Sequence, residues 1–163
     1  MTRRQQRVLI VDDNADIRRL VRLRLDLDGL FDVVPDAVNG REAIAAVQDH
    51  VPDIVLLDLS MPVMDGLEAL PHIRQLLPYG RIVMLSGFEA ERFRGRAIEL
   101  GADEYVEKGS ALDDLVGLLQ RLVTPALSQV PQPREDGQYD EYAMPEPMAE
   151  GAAAQGPHAS GAA

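Results

Sequence analysis

The chain has 163 residues, 46% of them apolar and only 4% aromatic, which suits one aliphatic domain of about 100–150 residues with an appendage. Its formal net charge of −11 argues against direct binding to nucleic acid, which depends on cationic side chains that neutralise phosphates. Because cysteine is absent, disulfides, cysteine nucleophiles and thiolate metal sites are excluded.

Five short apolar runs alternate with five amphipathic helical patterns along the first 124 residues. The predicted strands are residues 7–11, 31–34, 53–57, 81–85 and 104–106. Strands that are apolar at nearly every position favour a parallel sheet covered on both faces. Crossovers of this length between parallel strands are right-handed. The pattern predicts an α/β fold with a doubly wound, five-stranded parallel sheet.

The segment around the first strand also indicates the compartment. Basic residues precede only four apolar residues, Val8 to Val11, and two aspartates follow them. A secretion signal needs roughly 7–15 apolar residues, and no run approaches the roughly 18 that span a membrane. We therefore expect a cytoplasmic protein that does not act at a membrane.

The first three predicted helices show apolar spacing and start signals. Apolar residues recur three and four positions apart in the first helix: Ile17, Leu20, Val21 and Leu25. The second and third helices have capping-box patterns, formed by Asn39 with Glu42 and by Asp65 with Glu68. Pro71 removes a backbone donor inside the third helix, so we expect a kink or an irregular turn there.

The last two helices are bounded in similar ways. The fourth is predicted to end at Gly101, a residue type typical of the position after a helix. The fifth is predicted to begin at Ser110 with Asp113 as its capping-box partner. Its apolar positions include Leu112 and Leu115, which we expect to be buried.

The helical and strand patterns end near residue 124. Residues 125–163 contain six of the eleven prolines and nine alanines, which is typical of a disordered acidic tail. We therefore predict a domain over residues 1–124 and a disordered tail over 125–163. Whether the cluster from Tyr139 to Met144 is a docking motif or part of a solvated tether stays open.

Polar residues follow four of the apolar runs. Asp12 and Asp13 end the first strand, Asp58 ends the third, Ser86 ends the fourth, and the only lysine, Lys108, follows the fifth. Open α/β sheets bind their ligands at this carboxyl edge. Acids, a hydroxyl and an ammonium at one edge indicate a site for a charged phosphoryl group.

Four segments carrying these residues resemble the receiver domain of two-component response regulators: VLIVDD, DLSMPVMDG, MLSG and ADEYVEK. The resemblance covers residues 7–123 and implies the flavodoxin-like receiver fold with strand order 2-1-3-4-5. It also implies that Asp58 accepts a phosphoryl group from a histidine kinase or phosphotransfer protein. Such a domain signals rather than acting as an enzyme, and any dephosphorylation of its own is slow.

The three acids imply a bound cation. Neighbouring strands lie about 4.8 Å apart, and two carboxylates about 4 Å apart repel by roughly 4 kcal/mol at an effective dielectric of 20. A hard divalent ion would relieve this repulsion, and Mg²⁺ fits best. The resemblance assigns Asp13, Asp58 and the main-chain carbonyl of Ser60 as its ligands, with Asp12 acting through water.

The resemblance also implies a conformational switch. It assigns Ser86 as the hydroxyl that reaches for the phosphoryl group, and Tyr105 as the aromatic that then turns inward. Lys108 neutralises the phosphoryl charge. A protein partner would read the change on the face formed by the fourth helix, fifth strand and fifth helix. The cognate kinase, the stimulus, the output partner and phosphorylation-dependent dimerisation are left open by the sequence.

The sequence departs from the usual family pattern at two points. Ser86 stands in place of threonine and lacks its methyl group, which is expected to soften its steric coupling to Tyr105. Gly109 follows Lys108 where the family usually has a cis proline, so we expect a trans and looser loop. Phe88, two residues past Ser86, is predicted to shield the phosphoryl group from water and prolong its lifetime.

Two alternative functions compete with the receiver interpretation. A metal-dependent aspartyl-phosphate phosphatase of the haloacid dehalogenase type needs a second acid two residues after Asp58, where this chain has Ser60. A flavodoxin-like module would bind a flavin phosphate after the first strand, where Asp12 and Asp13 would repel it. Hydrolysis of a phosphate ester and the colour of the purified protein distinguish these alternatives.

Overall fold

The structure is a computed structural model that describes residues 4–87, 90–111 and 114–124. Its strands are β1 (Gln6–Val11), β2 (Phe31–Val33), β3 (Ile54–Leu57), β4 (Arg81–Ser86) and β5 (Glu104–Glu107). Its helices are α1 (Ala15–Asp28), α2 (Gly40–His50), α3 (Gly66–Leu76), α4 (Ala90–Glu99), α5 (Lys108–Ala111) and α6 (Leu115–Val123). All paired strands are parallel, in the order β2-β1-β3-β4-β5. The predicted doubly wound sheet is confirmed.

Buried side chains alternate between the two faces of the sheet. Val8 and Ile10 of β1 belong to a cluster with residues of α1 and α6, whereas Leu9 and Val11 belong to a second cluster with residues of α2, α3 and α4. The helical contributions to the two clusters are Val21, Leu25, Leu115 and Leu119 in the first and Ala43, Val47, Ala69, Leu70, Ile73 and Ala97 in the second. Because helices cover both faces, the polar groups that end the strands gather at the edge of the sheet.

The capping residues predicted for α2 and α3 are confirmed. Asn39 accepts from the Glu42 N–H at 3.0 Å. Asp65 and Glu68 form a complete capping box. α3 then runs without interruption through Pro71, so the irregular turn expected there is wrong. Proline costs one backbone bond in the second turn, and the capping box and the buried face of α3 outweigh that loss.

The predicted end of α4 is confirmed. Gly101 has φ +112, a left-handed conformation that glycine adopts without steric cost. The Ala102 N–H donates to the Ala97 carbonyl and the Gly101 N–H to the Ile98 carbonyl, both at 3.0 Å. These two bonds are those of a Schellman motif, which closes the helix.

The buried stripe of α1 runs through Val21 and Leu25, whereas Leu20 is 38% exposed. The predicted start of the last helix is wrong. Ser110 lies inside α5, and α6 begins after Asp114, so Ser110 does not cap the last helix. Proline disfavours helical angles in the residue before it. With Gly109 in that place, Lys108 can turn directly into a helix.

The peptide after Lys108 is trans as predicted, since the described residues contain no cis peptide bond. Other predictions fall on residues outside the described ranges: those for Phe88, Leu112 and Asp113, and the tail over 125–163 with its cluster from Tyr139 to Met144. The domain boundary at residue 124 stays a prediction.

Asp103 joins the amino ends of β4 and β5 to α3. Its carboxylate accepts from Arg74 at 2.6 Å, from Arg81 at 3.0 Å and from the Ile82 N–H at 2.8 Å. Arg74 also donates to the Gly101 carbonyl at 2.8 Å. Burial alone would raise the pKa of Asp103, but the Ile82 N–H and the two guanidinium groups outweigh burial and lower it.

Replacing this carboxylate gives a stability prediction with a defined pH dependence. Asp103→Asn is expected to cost about 2 kcal/mol at pH 7, because charge-assisted bonds are lost around a group that is 19% exposed. The lowered native pKa makes this contribution full above the unfolded pKa of about 3.9, and it is lost as pH falls below that value. In urea unfolding, the free energy of unfolding of the variant should therefore differ from that of wild type by a large amount at pH 7 and by a small amount at pH 3.

The exposed Asp49→Asn is the control, with an expected effect within about 0.5 kcal/mol. An equal cost of Asp103→Asn at both pH values would contradict the prediction.

Candidate functional site

Two buried aspartates lie level with each other at the carboxyl edge of the sheet. Val11 pairs with Leu57 at the ends of β1 and β3, so the residues that follow, Asp12 and Asp58, emerge side by side. The Asp58 N–H donates to the Val11 carbonyl at 2.8 Å, which extends the pairing by one residue. Asp12 is 2% exposed and Asp58 is 4% exposed.

Lys108 bridges these two carboxylates. Its Nζ lies 2.6 Å from Asp12 Oδ2 and 3.1 Å from Asp58 Oδ1. It reaches them because Glu107, the last residue of β5, pairs with Ser86 at the end of β4, and Lys108 follows directly. Burial alone would lower the pKa of Lys108, but the hydrogen bond to Asp12 and the charge of Asp58 raise it. The ammonium therefore stays charged at neutral pH.

The surroundings of Asp58 disfavour its ionised form. Burial raises the pKa of Asp58, Lys108 opposes that rise, and the negative charge of Asp12 adds to it. A buried carboxylate beside a like charge is electrostatically disfavoured. An additional cation, or chemical conversion of the carboxylate itself, would relieve this penalty.

Asp13 completes an acidic cluster. Asp12, Asp13 and Asp58 each place a carboxylate oxygen within 4.8 Å of the others. Asp13 is exposed, so the cluster opens to solvent on its side. This oxygen-only set, with one open side, suits a hard divalent cation that retains water. Ser60, predicted to add a main-chain carbonyl, is exposed two residues beyond Asp58, beside a cleft that Met61 and Phe93 also line.

Ser86 and Tyr105 lie buried on one face of the sheet. Ser86 is fully buried and Tyr105 is 3% exposed. Met84 pairs with Tyr105 and Ser86 with Glu107, so Ser86 and Tyr105 lie diagonally across neighbouring strands. The Tyr105 side chain packs in the cluster that includes Met84, Ala97 and Ala102. It therefore occupies the inward position.

Asn14 is a site residue that sequence analysis missed. Its N–H donates to Asp12 Oδ1 at 2.9 Å, and its side chain caps α1 by accepting from the N–H groups of Asp16 and Ile17. An asparagine placed just before a helical pattern is a recognisable capping signal.

Arg18 was also missed. Its Nη1 donates to the main-chain carbonyls of Asp12, at 2.8 Å, and Asp13, at 3.2 Å. Its Nε lies 2.5 Å from Asp36 Oδ2, in the loop after β2. Nothing in the sequence distinguishes this arginine from the others of α1.

Comparison with known proteins identifies the family. The response regulator receiver domain matches residues 8–120. The chain belongs to this family. Its fold is therefore that of a receiver domain, a signalling domain in which phosphoryl acceptance is implied by the family.

Relatives of this receiver domain differ in length. The chemotaxis protein CheY of Bacillus subtilis is 36% identical over 115 residues, which are 71% of this chain and 95% of that protein. A protein-glutamate methylesterase/protein-glutamine glutaminase of Rhodospirillum centenum is 41% identical over 113 residues, 68% of this chain. The chain spans only 29% of that second relative.

Solved structures share the fold. A LuxR-family response regulator from Aurantimonas is 32% identical with a TM-score of 0.68, over 72% of this chain and 84% of that one. The CheX–CheY–BeF3–Mg²⁺ complex from Borrelia burgdorferi matches with 26% identity and a TM-score of 0.69, over 74% of this chain and 90% of that one. No helix in the described part of the chain is long and apolar enough to cross a membrane.

Proposed function

We propose that this receiver domain accepts a phosphoryl group on Asp58 from a histidine kinase or phosphotransfer protein and signals to a protein partner. The observation that carries the proposal is the arrangement around Asp58. A buried carboxylate lies 3.1 Å from the Lys108 ammonium and belongs to a three-carboxylate cluster that opens to solvent through Asp13. Because these carboxylates are negatively charged, the site can bind a phosphoryl group, which is also negative, only when a cation offsets the repulsion.

The chemistry assigned to the residues is nucleophilic transfer. An oxygen of Asp58 attacks phosphorus, and the bond from phosphorus to the donor nitrogen breaks with its electron pair going to that nitrogen. The donor imidazole takes up a proton from solvent and leaves as neutral histidine. The product is an acyl phosphate on Asp58. Lys108 is already held between Asp12 and Asp58, so its charge opposes the negative charge of the transferring oxygens without reorganisation.

The acidic cluster fits Mg²⁺, and we assign Asp13, Asp58 and the Ser60 main-chain carbonyl to hold it, with Asp12 acting through water. Three carboxylate oxygens within 4.8 Å support this assignment. A bound divalent cation would neutralise charge on the phosphoryl oxygens. The Mg²⁺ in the Borrelia burgdorferi complex, which shares this fold, favours the same ion.

We assign the switch to Ser86 and Tyr105, and their placement supports this assignment. Both side chains are buried on the same face of the sheet, and Tyr105 packs in a cluster with Ala97 of α4. A phosphoryl group on Asp58 would draw the Ser86 hydroxyl and stabilise Tyr105 among Met84 and Ala97, which shifts a pre-existing equilibrium. We assign the face formed by α4, β5 and α6 to the output partner.

The test is phosphorylation of the wild-type chain by acetyl phosphate, followed by intact mass spectrometry and peptide mapping. We expect one added phosphoryl group, on Asp58, in the presence of Mg²⁺ and none after chelation with EDTA. Labelling on another residue, or labelling that is equal without Mg²⁺, would refute the proposal.

The two alternative functions gain no support from the geometry. Ser60 stands where the phosphatase type needs an acid, and the cluster of three carboxylates lies where a flavin phosphate would have to bind.

A further inference from the structure

Arg18 is a partly buried cation that donates to the acidic loop after β1. Its side chain is 17% exposed, and its Nη1 donates to two consecutive carbonyls, those of Asp12 and Asp13. A guanidinium that binds two adjacent carbonyls fixes the orientation of both peptide planes, because its donors are held in a rigid plane.

Asp13 depends on this contact more than Asp12 does. The Asp12 carboxylate is held by Lys108 at 2.6 Å and by the Asn14 N–H at 2.9 Å. Among the described residues, no hydrogen bond or ion pair reaches the Asp13 carboxylate, so the described contacts restrain Asp13 through its backbone only. Arg18 binds that backbone.

Arg18 is itself held from the other side of the loop. Its Nε contacts Asp36 Oδ2, and Ala37, the next residue, is paired with Val11 at the end of β1. Burial alone would raise the pKa of Asp36, but hydrogen bonding by Arg18 lowers it, so Asp36 stays a carboxylate. The loop after β2 therefore orients Arg18, which in turn orients the acidic loop.

We propose that Arg18 is a positioning residue for the cation site of this receiver domain: it fixes the Asp13 carboxylate toward Asp12 and Asp58 through the two loop carbonyls. The inference rests on the proposed function, since it concerns the Mg²⁺ site of that function. It predicts an effect opposite in sign to simple electrostatics. Removing a positive charge beside a cation site should strengthen Mg²⁺ binding by charge alone, whereas loss of positioning should weaken it.

The experiment is a titration of the full chain with Mg²⁺, in which binding is measured from the backbone amide chemical shifts in NMR spectra. Arg18→Met is expected to raise the Kd for Mg²⁺ about tenfold, as supporting contacts of metal ligands commonly do. Arg18→Lys keeps the charge but not the planar guanidinium that binds both carbonyls, so it is expected to weaken Mg²⁺ binding by a smaller factor. This variant also keeps the test valid if Arg18→Met does not fold.

Two matched controls come from the same helix. Arg19→Met removes an exposed charge. Arg22→Met removes an arginine that donates at 3.2 Å to the carbonyls of Val33 and Val34 and lies 3.7 Å from Asp36, so it shares this carboxylate with Arg18 but does not donate to the acidic loop. Both are expected to keep the Kd within about twofold of wild type. With saturating Mg²⁺, Arg18→Met should also regain nearly the wild-type rate of labelling by acetyl phosphate.

Wild-type or tighter binding by Arg18→Met and Arg18→Lys would overturn the inference and leave the proposed function intact. Equal weakening by Arg19→Met would overturn it as well, because the effect would then be a general one of removing an arginine from α1. A wild-type chain that binds no Mg²⁺ would overturn the proposed function and the inference together.

Discussion

Asp58→Asn is expected to show no added phosphoryl group after treatment with acetyl phosphate and Mg²⁺, a loss of about a thousandfold or more in rate. The neighbouring carboxylates are poor substitutes. Asp12 is bound by Lys108 and by the Asn14 N–H. Asp13 is exposed, and the described ion pairs of Lys108 are with Asp12 and Asp58. Intact mass spectrometry measures the result. The exposed Asp32→Asn is the control and should be labelled like wild type.

The same substitution should not destabilise the fold. Burial raises the pKa of Asp58, so the native state disfavours its charged form. The resulting loss of folding free energy is absent at pH values below the unfolded pKa of about 3.9. It is complete at pH values above the raised native pKa. At neutral pH, Asp58→Asn therefore removes a destabilising charge, and its melting temperature should equal or exceed that of wild type without Mg²⁺. Full labelling of this variant would refute the assignment of Asp58.

The part of the site that sequence could predict is the part set by strand ends. Asp12, Asp58 and Ser86 each follow a short apolar run, so their positions at the carboxyl edge need only the direction of each strand. The strand order that makes Asp12 and Asp58 neighbours came from the family resemblance, because local patterns do not encode which strands pair. The register of β4 and β5 then brings Lys108 to both acids.

The part that sequence could not predict depends on contacts between distant segments. Arg18 is held by Asp36, eighteen residues away, and this pairing requires the loop after β2 to lie against the start of α1. Four arginines occur in α1, and their spacing does not show which one faces the loop. The start of α6 was missed for a local reason, since the predicted cap at Ser110 ignored the freedom that Gly109 gives to Lys108.

Gly66→Ala is expected to lower both the stability and the rate of phosphorylation more than any other glycine substitution in the site. A Cβ at Gly66 would lie 2.1 Å from the Asp58 carbonyl oxygen, 3.0 Å from the Asp58 carbonyl carbon and 3.1 Å from Leu59 Cα. All three are backbone atoms, so no side-chain rotation relieves the overlap. The Gly66 N–H also donates to the Leu59 carbonyl at 2.9 Å, which holds α3 against this strand end.

Either α3 or the backbone of Asp58 must therefore move in Gly66→Ala, at a cost of about 3 kcal/mol, the upper range for an overpacked core. Gly95→Ala is the matched control, because a Cβ there meets nothing within 4 Å and alanine favours the interior of α4. That control should gain about 0.5–1 kcal/mol and keep the wild-type labelling rate. Urea unfolding and acetyl phosphate labelling measure both variants. If Gly66→Ala unfolds and is labelled like wild type, close contact between the start of α3 and Asp58 does not position the acceptor.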